Sequence, residues 1–559
     1  MQRSSRLFSA IAAGTLIYRA FWAFSIKTTF VPDEYYQSVE PVNIIFYGAS
    51  NSGLNSTWEW RDEFRIRSFV PLIPYMLLYQ INFFIGSSLS VLLHKFVVLK
   101  GPRLLNAILS SYSDFLLYAI LKKITRSDYL AIFITCIHLF SWSGSYCLSR
   151  TLANSTETAF LIIGFYFWLS EASNKKQKND PIQEAVLSSL NCSGSETADQ
   201  RSNSNRKQSI NEDNNDHRFR KRILSSKIIE NPESERNPVT SSSDYCVSSL
   251  AVALIAVTVH CRPTAVLFWA PLVVLRITQQ TSPWRYILFH CIPTGVAVLL
   301  FCVAVDSIFY GRFTVTPFNF FYINISRNYA AIFYGAKSWH WNFSHGLPVM
   351  LGLYTPFLVL SIVATPQPEE CIVLIIVSLL YVVLLRCVTA HQEYRFLLPA
   401  LPFLHIAVGF TLWDLAVWCL PGLGEPSRHP HTVLSYCLSS VGLRARVDSE
   451  RGVERMLPAP EKVMDERRSS GGDSGTDSGA QGGGGCKQNQ DHSLGVTGVG
   501  EKRRNDEEST RKSPPIVARM LCLSLLFLVV SAHLSAALYL STRHQVGHLW
   551  CYITVQRIE

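Results

Sequence analysis

The chain has 559 residues, 48% of them hydrophobic and only 16% charged, with a mean hydropathy of +0.17, a balance too apolar for an ordinary soluble enzyme. A formal net charge of +10 matters less than where the cations lie, because Lys and Arg collect on the cytosolic side of membrane proteins. The 14 cysteines are scattered without a CxxC pair, several inside apolar blocks (Cys136, Cys291, Cys302, Cys371, Cys522), which argues against a disulfide scaffold or a zinc site.

Apolar blocks approaching the roughly 20 residues needed to cross a bilayer recur near 7–26, 103–121, 129–148, 157–169, 247–260, 264–275, 286–305, 347–364, 371–389, 396–420 and 516–540. They predict an all-α polytopic membrane protein with about 11 transmembrane helices. MQRSSR precedes the first block, but that block is long, carries Arg19 and lacks a small-residue cleavage site, so an uncleaved first span is expected. The stretch SFVPLIPYMLLYQINFFIG, 68–86, opens with Pro71 and Pro74 and fits a span, an interfacial helix or a re-entrant one, with SLSVLLHKFVVL as its partner.

Two polar segments break the pattern. Residues 171–246 are rich in Asn, Ser, Lys and Glu, and 421–515 contain GGDSGTDSGAQGGGG; neither can bury enough apolar surface to offset its ordering entropy, so both are expected to be disordered cytosolic loops. The chain then divides into a membrane region at 1–170 with a first extramembrane loop at 27–67, the loop 171–246, a second membrane region at 247–420, the loop 421–515, and a last helix with a short tail at 516–559.

With a cytosolic N-terminus, charge alternation puts KKITRS (122–127), RITQQTSPWR (276–285) and both long loops in the cytosol. The opposite face receives PDEYYQ, SRTLANST, CRP at 261–263, the stretch 306–346 ending in WHWNFSHG, and AHQEYR at 390–395. The sequons at Asn55, Asn154, Asn324 and Asn342 fall on that face and only Asn191 does not. The expected location is the endoplasmic reticulum membrane with a lumenal working face.

Ionisable residues in or beside membrane segments are costly and therefore functional candidates: Asp33, Glu34, Arg150, Glu157, Arg262, Asp306, His391, Glu393 and Arg395. Structural explanations compete. Asp33 after Pro32 could cap a helix begun by YYQSVEPVN, and Glu34 could be a first-turn acid. Arg262 could snorkel to headgroups, Arg150 could pair with Glu157, and Asp306 is expected to end its span at the interface. Glu393 and Arg395, two apart, diverge on a helix, so only an extended or turn segment unites them. SWHWNFSHG, with Trp339 and His340, fits an aromatic belt or a sugar-stacking surface.

Such a set suits transfer of a sugar from a lipid phosphate to a hydroxyl. The leaving phosphate is a weak base and asks for a cation such as Arg395 or Arg262 rather than a general acid. The attacking hydroxyl asks for one carboxylate base. Adjacent Asp33 and Glu34 cannot easily act as the separated pair of a glycoside hydrolase, so Asp33 is the expected base and Glu34 a supporting group.

PDEYYQSVE (32–40) and HQEYRFLLPALPF (391–403), the latter an H-x-E-x-R-F-x-x-P pattern, are similar to signatures of the glycosyltransferase family 22 mannosyltransferases. The resemblance implies a GT-C type glycosyltransferase fold with lumenal catalytic loops in the endoplasmic reticulum. It also implies dolichyl phosphate mannose as donor, contact with the membrane lipids, no cofactor, no nucleic acid, and inversion at the transferred sugar. STWEWRDEFRIRSFVPL (56–72), TLANSTET (151–158), CRPTAVLFWAPL (261–272) and 306–352 look most like the branch that adds the third, α1,2-linked mannose to the glycosylphosphatidylinositol (GPI) precursor. By position it implies catalytic Asp33 and Glu34 and substrate-binding Arg262, Trp339, His340, His391, Glu393 and Arg395. Val31 stands where relatives often have His, and the chain ends at HQVGHLWCYITVQRIE, sooner than the lumenal tail expected from the family. Competing functions are a sister mannosyltransferase for the fourth GPI mannose or an N-glycan precursor, an assembly subunit, and a transporter. A transporter predicts inverted repeats and mid-span acids, whereas no repeat is evident and the acids sit at span ends.

Overall fold

The computed structural model describes residues 2–48, 56–86, 91–178, 242–280, 282–420, 429, 431–440 and 516–543. Among them the regular structure is helical, apart from one antiparallel bridge between Gln367 and His431. The main helices are α1 (Gln2–Ser25), α2 (Glu40–Tyr47), α3 (Ile73–Gly86), α4 (Val91–Thr125), α5 (Asp128–Phe140), α6 (Ala153–Lys178), α7 (Ser242–Cys261), α8 (Val266–Thr278), α9 (Ile292–Tyr310), α10 (Thr355–Ala364), α11 (Glu369–Val388), α12 (Leu401–Cys419) and α13 (Ile516–Thr542). Of the two expected loops, 179–241 and 441–515 lie outside the described residues, while helix occupies their rims up to Lys178, from Ser242, and at Val433–Ser440.

Among the described residues, seven helical stretches are long and apolar enough to cross a membrane: 5–25, 96–125, 283–310, 342–364, 369–388, 394–419 and 517–542. The chain is thus a multi-pass membrane protein. Four more apolar helices, at 70–84, 128–140, 249–261 and 263–278, fall short of the roughly 20 residues a span requires. The eleven expected spans are therefore seven of full length and shorter apolar helices beside them. The block expected at 157–169 is the apolar middle of α6.

The described residues of the ambiguous 68–99 region include α3 and the first turns of a longer helix. Of SLSVLLHKFVVL, the described residues 91–99 do not end before the next block but form the first turns of α4, which contains Pro102. Proline has no N–H for the carbonyl four residues earlier, and here the orphaned Val98 carbonyl accepts a hydrogen bond from Tyr79 Oη of α3 at 3.0 Å. That interruption sits beside Arg103.

Burial sorts the helices into layers. The 394–419 stretch is 94% buried against 11% for 283–310; a helix apolar all round belongs in a core or facing lipid, and α12 takes the first place and α9 the second. Around α12 pack α5, α10, α11 and α13, with α5 close enough that a Cβ on Gly409 would lie 2.8 Å from Ile134. Charge inside the bundle is paired, as such positions demand. Arg19 of α1 holds Asp114 of α4 at 2.6 and 3.0 Å, with His138 Nε2 3.4 Å from the same carboxylate.

Candidate active site

Asp33 does not cap the helix that follows it. A five-residue π-helical turn, Tyr35–Val39, begins there without a side-chain cap; such turns are rare and frequent at functional sites. The Asp33 carboxylate turns instead toward Arg395, whose Nη2 pairs with Oδ2, and accepts a hydrogen bond at the same oxygen from Gln37 Nε2 at 2.5 Å. Among the described residues no hydrogen bond or ion pair engages Oδ1, and the side chain is 29% exposed.

Arg395 is held in turn. Its Nε and Nη2 donate to Glu393 Oε2 and Oε1 at 2.8 and 3.0 Å. The two side chains meet because Glu393 is extended (φ −134°, ψ 155°) just before the 3₁₀ turn Tyr394–Ala400, the geometry their spacing required. His391 Nε2 lies 2.9 Å from Glu393 Oε1 and its Nδ1 3.0 Å from the Gly335 carbonyl. Both ring nitrogens face acceptors, which suits the doubly protonated ring. Burial opposes that charge, but the hydrogen bonds to Glu393 and Gly335 outweigh it and raise the His391 pKa. Burial would likewise raise the Glu393 carboxyl; the Arg395 charge and the bonds from His391 and Arg395 prevail and hold it at about 2.

Glu34 is buried outright at 0% exposure and clamped between two guanidinia. Arg103 approaches Oε1 at 2.9 Å and Arg150 approaches Oε2 at 2.6 Å. Burial pushes its pKa up, yet the charges of Arg150 and Arg103 leave it below the usual value. Glu34 stands at the start of the helical turn as expected, but its partners are the two guanidinia, and the expectation that Arg150 pairs with Glu157 is corrected: Arg150 pairs with Glu34. Glu157 faces Arg262, whose Nε is 3.4 Å from Oε2. Arg262 is buried rather than snorkelling, with its guanidinium 5.8 Å from the Phe396 ring. The Arg395 guanidinium is 5.4 Å from the same ring.

Asp306 does not end its span at the interface either. Fully buried, it accepts from Ser68 Oγ (2.9 Å), the Phe69 N–H (2.8 Å) and Thr316 Oγ1 (2.8 Å), and meets His260 Nε2 at 2.8 Å. It ties the 56–69 segment to α7 just before Arg262. A second strand of polar contacts runs from Asp33 through Gln37, whose Nε2 is also 3.4 Å from Glu59 Oε1, to Arg67, which donates to Glu59 at 2.6 Å.

Trp339 and His340 are not brought to this cluster. Trp339 is 78% exposed and touches His340, and His340 Nδ1 meets Ser344 Oγ at 2.9 Å. Their loop is nonetheless anchored beside the motif, through Lys337 N–H to the Ala390 carbonyl (3.0 Å) and Trp341 against Tyr394. Of the sequons, Asn154 and Asn342 are 1% exposed, and Asn324 is 8% exposed. The Asn342 amide donates to Val382 O and Gln392 Oε1 at 3.1 and 3.2 Å, bonds a glycan would break. Asn55 and Asn191 lie outside the described residues.

Gln37, Glu59, Arg67, Arg103 and His260 are members of these networks that the sequence did not single out. Arg103 carried a signal, as an arginine directly after the one proline inside its helix. Glu59 and Arg67 lie in a stretch dense with charge, WEWRDEFRIRS, where spacing does not choose among them.

The Alg9-like mannosyltransferase family profile matches residues 11–444. Human GPI alpha-1,2-mannosyltransferase 3 is 29% identical over 409 residues, 73% of this chain and 58% of that protein. Arabidopsis thaliana mannosyltransferase APTG1 is 25% identical, covering 72% of this chain and 58% of its own length. Gibberella zeae GPI mannosyltransferase 3 is 26% identical, with 72% and 60% covered. The chain thus spans 58% to 60% of the length of these relatives. No solved structure matches it significantly. The match takes in both motifs that meet at the Asp33–Arg395 pair and most of the helical bundle that carries them, and the chain belongs to the Alg9-like mannosyltransferase family.

Proposed function

We propose that the chain transfers the third, α1,2-linked mannose from dolichyl phosphate mannose to the GPI precursor at the lumenal face of the endoplasmic reticulum membrane. The observation that carries the chemistry is Asp33: one carboxylate oxygen is held by Arg395 and Gln37 while the other stays disengaged among the described residues. The acceptor follows the names of the relatives, several of which are GPI mannosyltransferases.

In this mechanism the 2-hydroxyl of the acceptor's terminal mannose attacks C1 of the donor mannose. The C1–O bond to phosphate breaks, its electron pair leaves with dolichyl phosphate, and the hydroxyl proton passes to Asp33 Oδ1. A β-linked donor gives an α-linked product in one displacement. Arg395 and Gln37 fix the carboxylate so that no reorientation is needed as the proton moves, and a positioned base of this kind contributes about 10²- to 10⁴-fold. Glu393 and His391 hold Arg395.

The test is complementation of cells lacking the third GPI mannosyltransferase, with lipid analysis of their GPI precursors. Wild type should clear the two-mannose precursor and Asp33→Asn should leave it. Persistence of that precursor with well-expressed wild type defeats the acceptor assignment, and clearance by Asp33→Asn defeats the assignment of the base.

A further inference from the structure

The Gln37 amide is oriented for the benefit of its neighbours. Its Nε2 donates to Asp33 Oδ2 and lies 3.4 Å from Glu59 Oε1, so one NH₂ group is shared between two carboxylates. Its Oε1 is buried without a hydrogen-bond partner among the described residues. A buried acceptor without a donor is costly and rare in native proteins. Turning the amide over would not relieve it, because the carbonyl would then face two carboxylates, which only accept. The two acids together therefore set the sense of the amide, and Glu59 is the one that has no part in the chemistry proposed above.

Glu59 is itself fixed. Arg67 Nη2 donates to the same oxygen, Oε1, at 2.6 Å, and the pair is largely covered, with side-chain exposures of 14% and 13%. The 3₁₀ turn Trp58–Trp60 that carries Glu59 is tied to the π-helical turn that carries Gln37, since Trp60 Nε1 donates to the Tyr36 carbonyl at 2.9 Å. The chain then doubles back, and the Ile66 N–H donates to the Glu59 carbonyl at 3.1 Å. Tyr310 Oη of α9 donates to the Arg67 carbonyl at 2.7 Å, one residue before the Ser68 hydroxyl reaches Asp306. Both members of the ion pair thus sit on backbone that is anchored to other elements.

We infer that Glu59 is a positioning residue for mannosyl transfer: held by Arg67, it fixes the Gln37 amide so that Gln37 donates to Asp33 Oδ2 and leaves Oδ1 to the incoming hydroxyl. Arg395 pairs with that same Oδ2. With Gln37 released, Arg395 alone would hold the carboxylate, and the carboxylate could turn about that one contact. The inference rests on Asp33 being the base, as proposed above, and not on which acceptor is used.

The test measures kcat and KM of purified full-length protein in detergent, with dolichyl phosphate mannose and the two-mannose GPI precursor, normalised to folded protein. Glu59→Ala should lower kcat about tenfold or more while both KM values stay within about twofold of wild type. Glu59→Gln keeps an oxygen that accepts from Gln37 and Arg67 and should recover most of the loss. Arg312→Gln, in an exposed pair with Asp62, should turn over as wild type. Because Glu59 acts through Gln37, Gln37→Ala/Glu59→Ala should be no slower than Gln37→Ala, whereas independent contributions would multiply. In electron cryo-microscopy maps of Glu59→Ala the Gln37 side chain should have left Asp33. Should Glu59→Ala misfold with Arg67 unpaired, Glu59→Ala/Arg67→Ala takes its place. Wild-type kcat in the folded variant, losses that multiply in the double variant, or a Gln37–Asp33 contact that survives without Glu59 overturns the inference. An inactive Asp33→Asn beside a fully active Glu59→Ala removes only the role of Glu59. A wild type that ignores the two-mannose precursor removes only the acceptor assignment, and the maps still decide the contact.

Discussion

Neighbouring acids with opposite surroundings should fail in opposite ways. Glu34→Ala removes a carboxylate of 0% side-chain exposure from between Arg103 at 2.9 Å and Arg150 at 2.6 Å, leaving two buried guanidinia without their shared counter-charge. Breaking a buried pair in this way costs about 3–5 kcal/mol, a large share of the roughly 5–15 kcal/mol that holds a typical domain. The Asp33 carboxylate is 29% exposed, and Arg395 keeps Glu393 when it goes, so Asp33→Asn should cost about 1 kcal/mol or less. Its turnover should fall about 10²- to 10⁴-fold. Melting of detergent-extracted protein by size-exclusion chromatography, with turnover normalised to folded protein, separates the two. Glu34→Ala should melt well below wild type and accumulate poorly; Asp33→Asn should melt near wild type and be inactive. A Glu34→Ala protein that melts like wild type but does not turn over would refute the reasoning and move the chemistry to Glu34.

Three further outcomes are expected. The raised His391 pKa means that its charged contacts stabilise fully below the unfolded value near 6.5 and are lost as pH rises through the folded value; hydrogen exchange at 329–337, corrected for its intrinsic pH dependence, should therefore quicken above neutral pH in wild type, and His391→Gln should flatten that change. Glu393, held at about 2, loses its contribution only as pH falls from about 4.5 toward 2, so the same exchange should be insensitive to it between pH 5 and 6, roughly one unit above the carboxylate range. Asp306→Ala strands His260 and the Phe69 N–H inside the protein and should destabilise by about 3–5 kcal/mol, seen as lost abundance and melting; near-normal melting would show that the knot is not structural. Asn154→Gln and Asn342→Gln should leave any glycosidase-sensitive mobility unchanged, because both amides are buried in the folded chain; a shift on either substitution would contradict that placement.

The positions of the long apolar helices were legible because a bilayer imposes length and hydropathy together, and both can be read from a window. Boundaries at 371–389 and 396–420 fall within a few residues of the observed 369–388 and 394–419. What a window cannot read is continuity through a proline: α4 carries on through Pro102 because a tyrosine from another helix supplies the missing hydrogen bond. The meeting of Asp33 with Arg395 was half legible. Charge alternation put both on one face, and the spacing of Glu393 and Arg395 demanded an extended residue, which Glu393 is. Which arginine met which acid was not legible, since Arg103, Arg150, Arg262 and Arg395 are chemically identical in a sequence and differ only in what their nitrogens reach.

That difference separates charges whose partners are all supplied by the fold from those with capacity left over. Glu34, Asp306 and the Arg19–Asp114 pair have their oxygens engaged by donors fixed in the same folded frame; adding a substrate would break bonds that the bundle needs. Asp33 Oδ1 has no hydrogen-bond or ion-pair partner among the described residues, and Arg262 Nε has Glu157 Oε2 at 3.4 Å without a hydrogen bond. Arg262 and Arg395 both approach one ring, Phe396, at 5.8 and 5.4 Å from its centroid, so Arg262 lies in the neighbourhood of the guanidinium that pairs with Asp33.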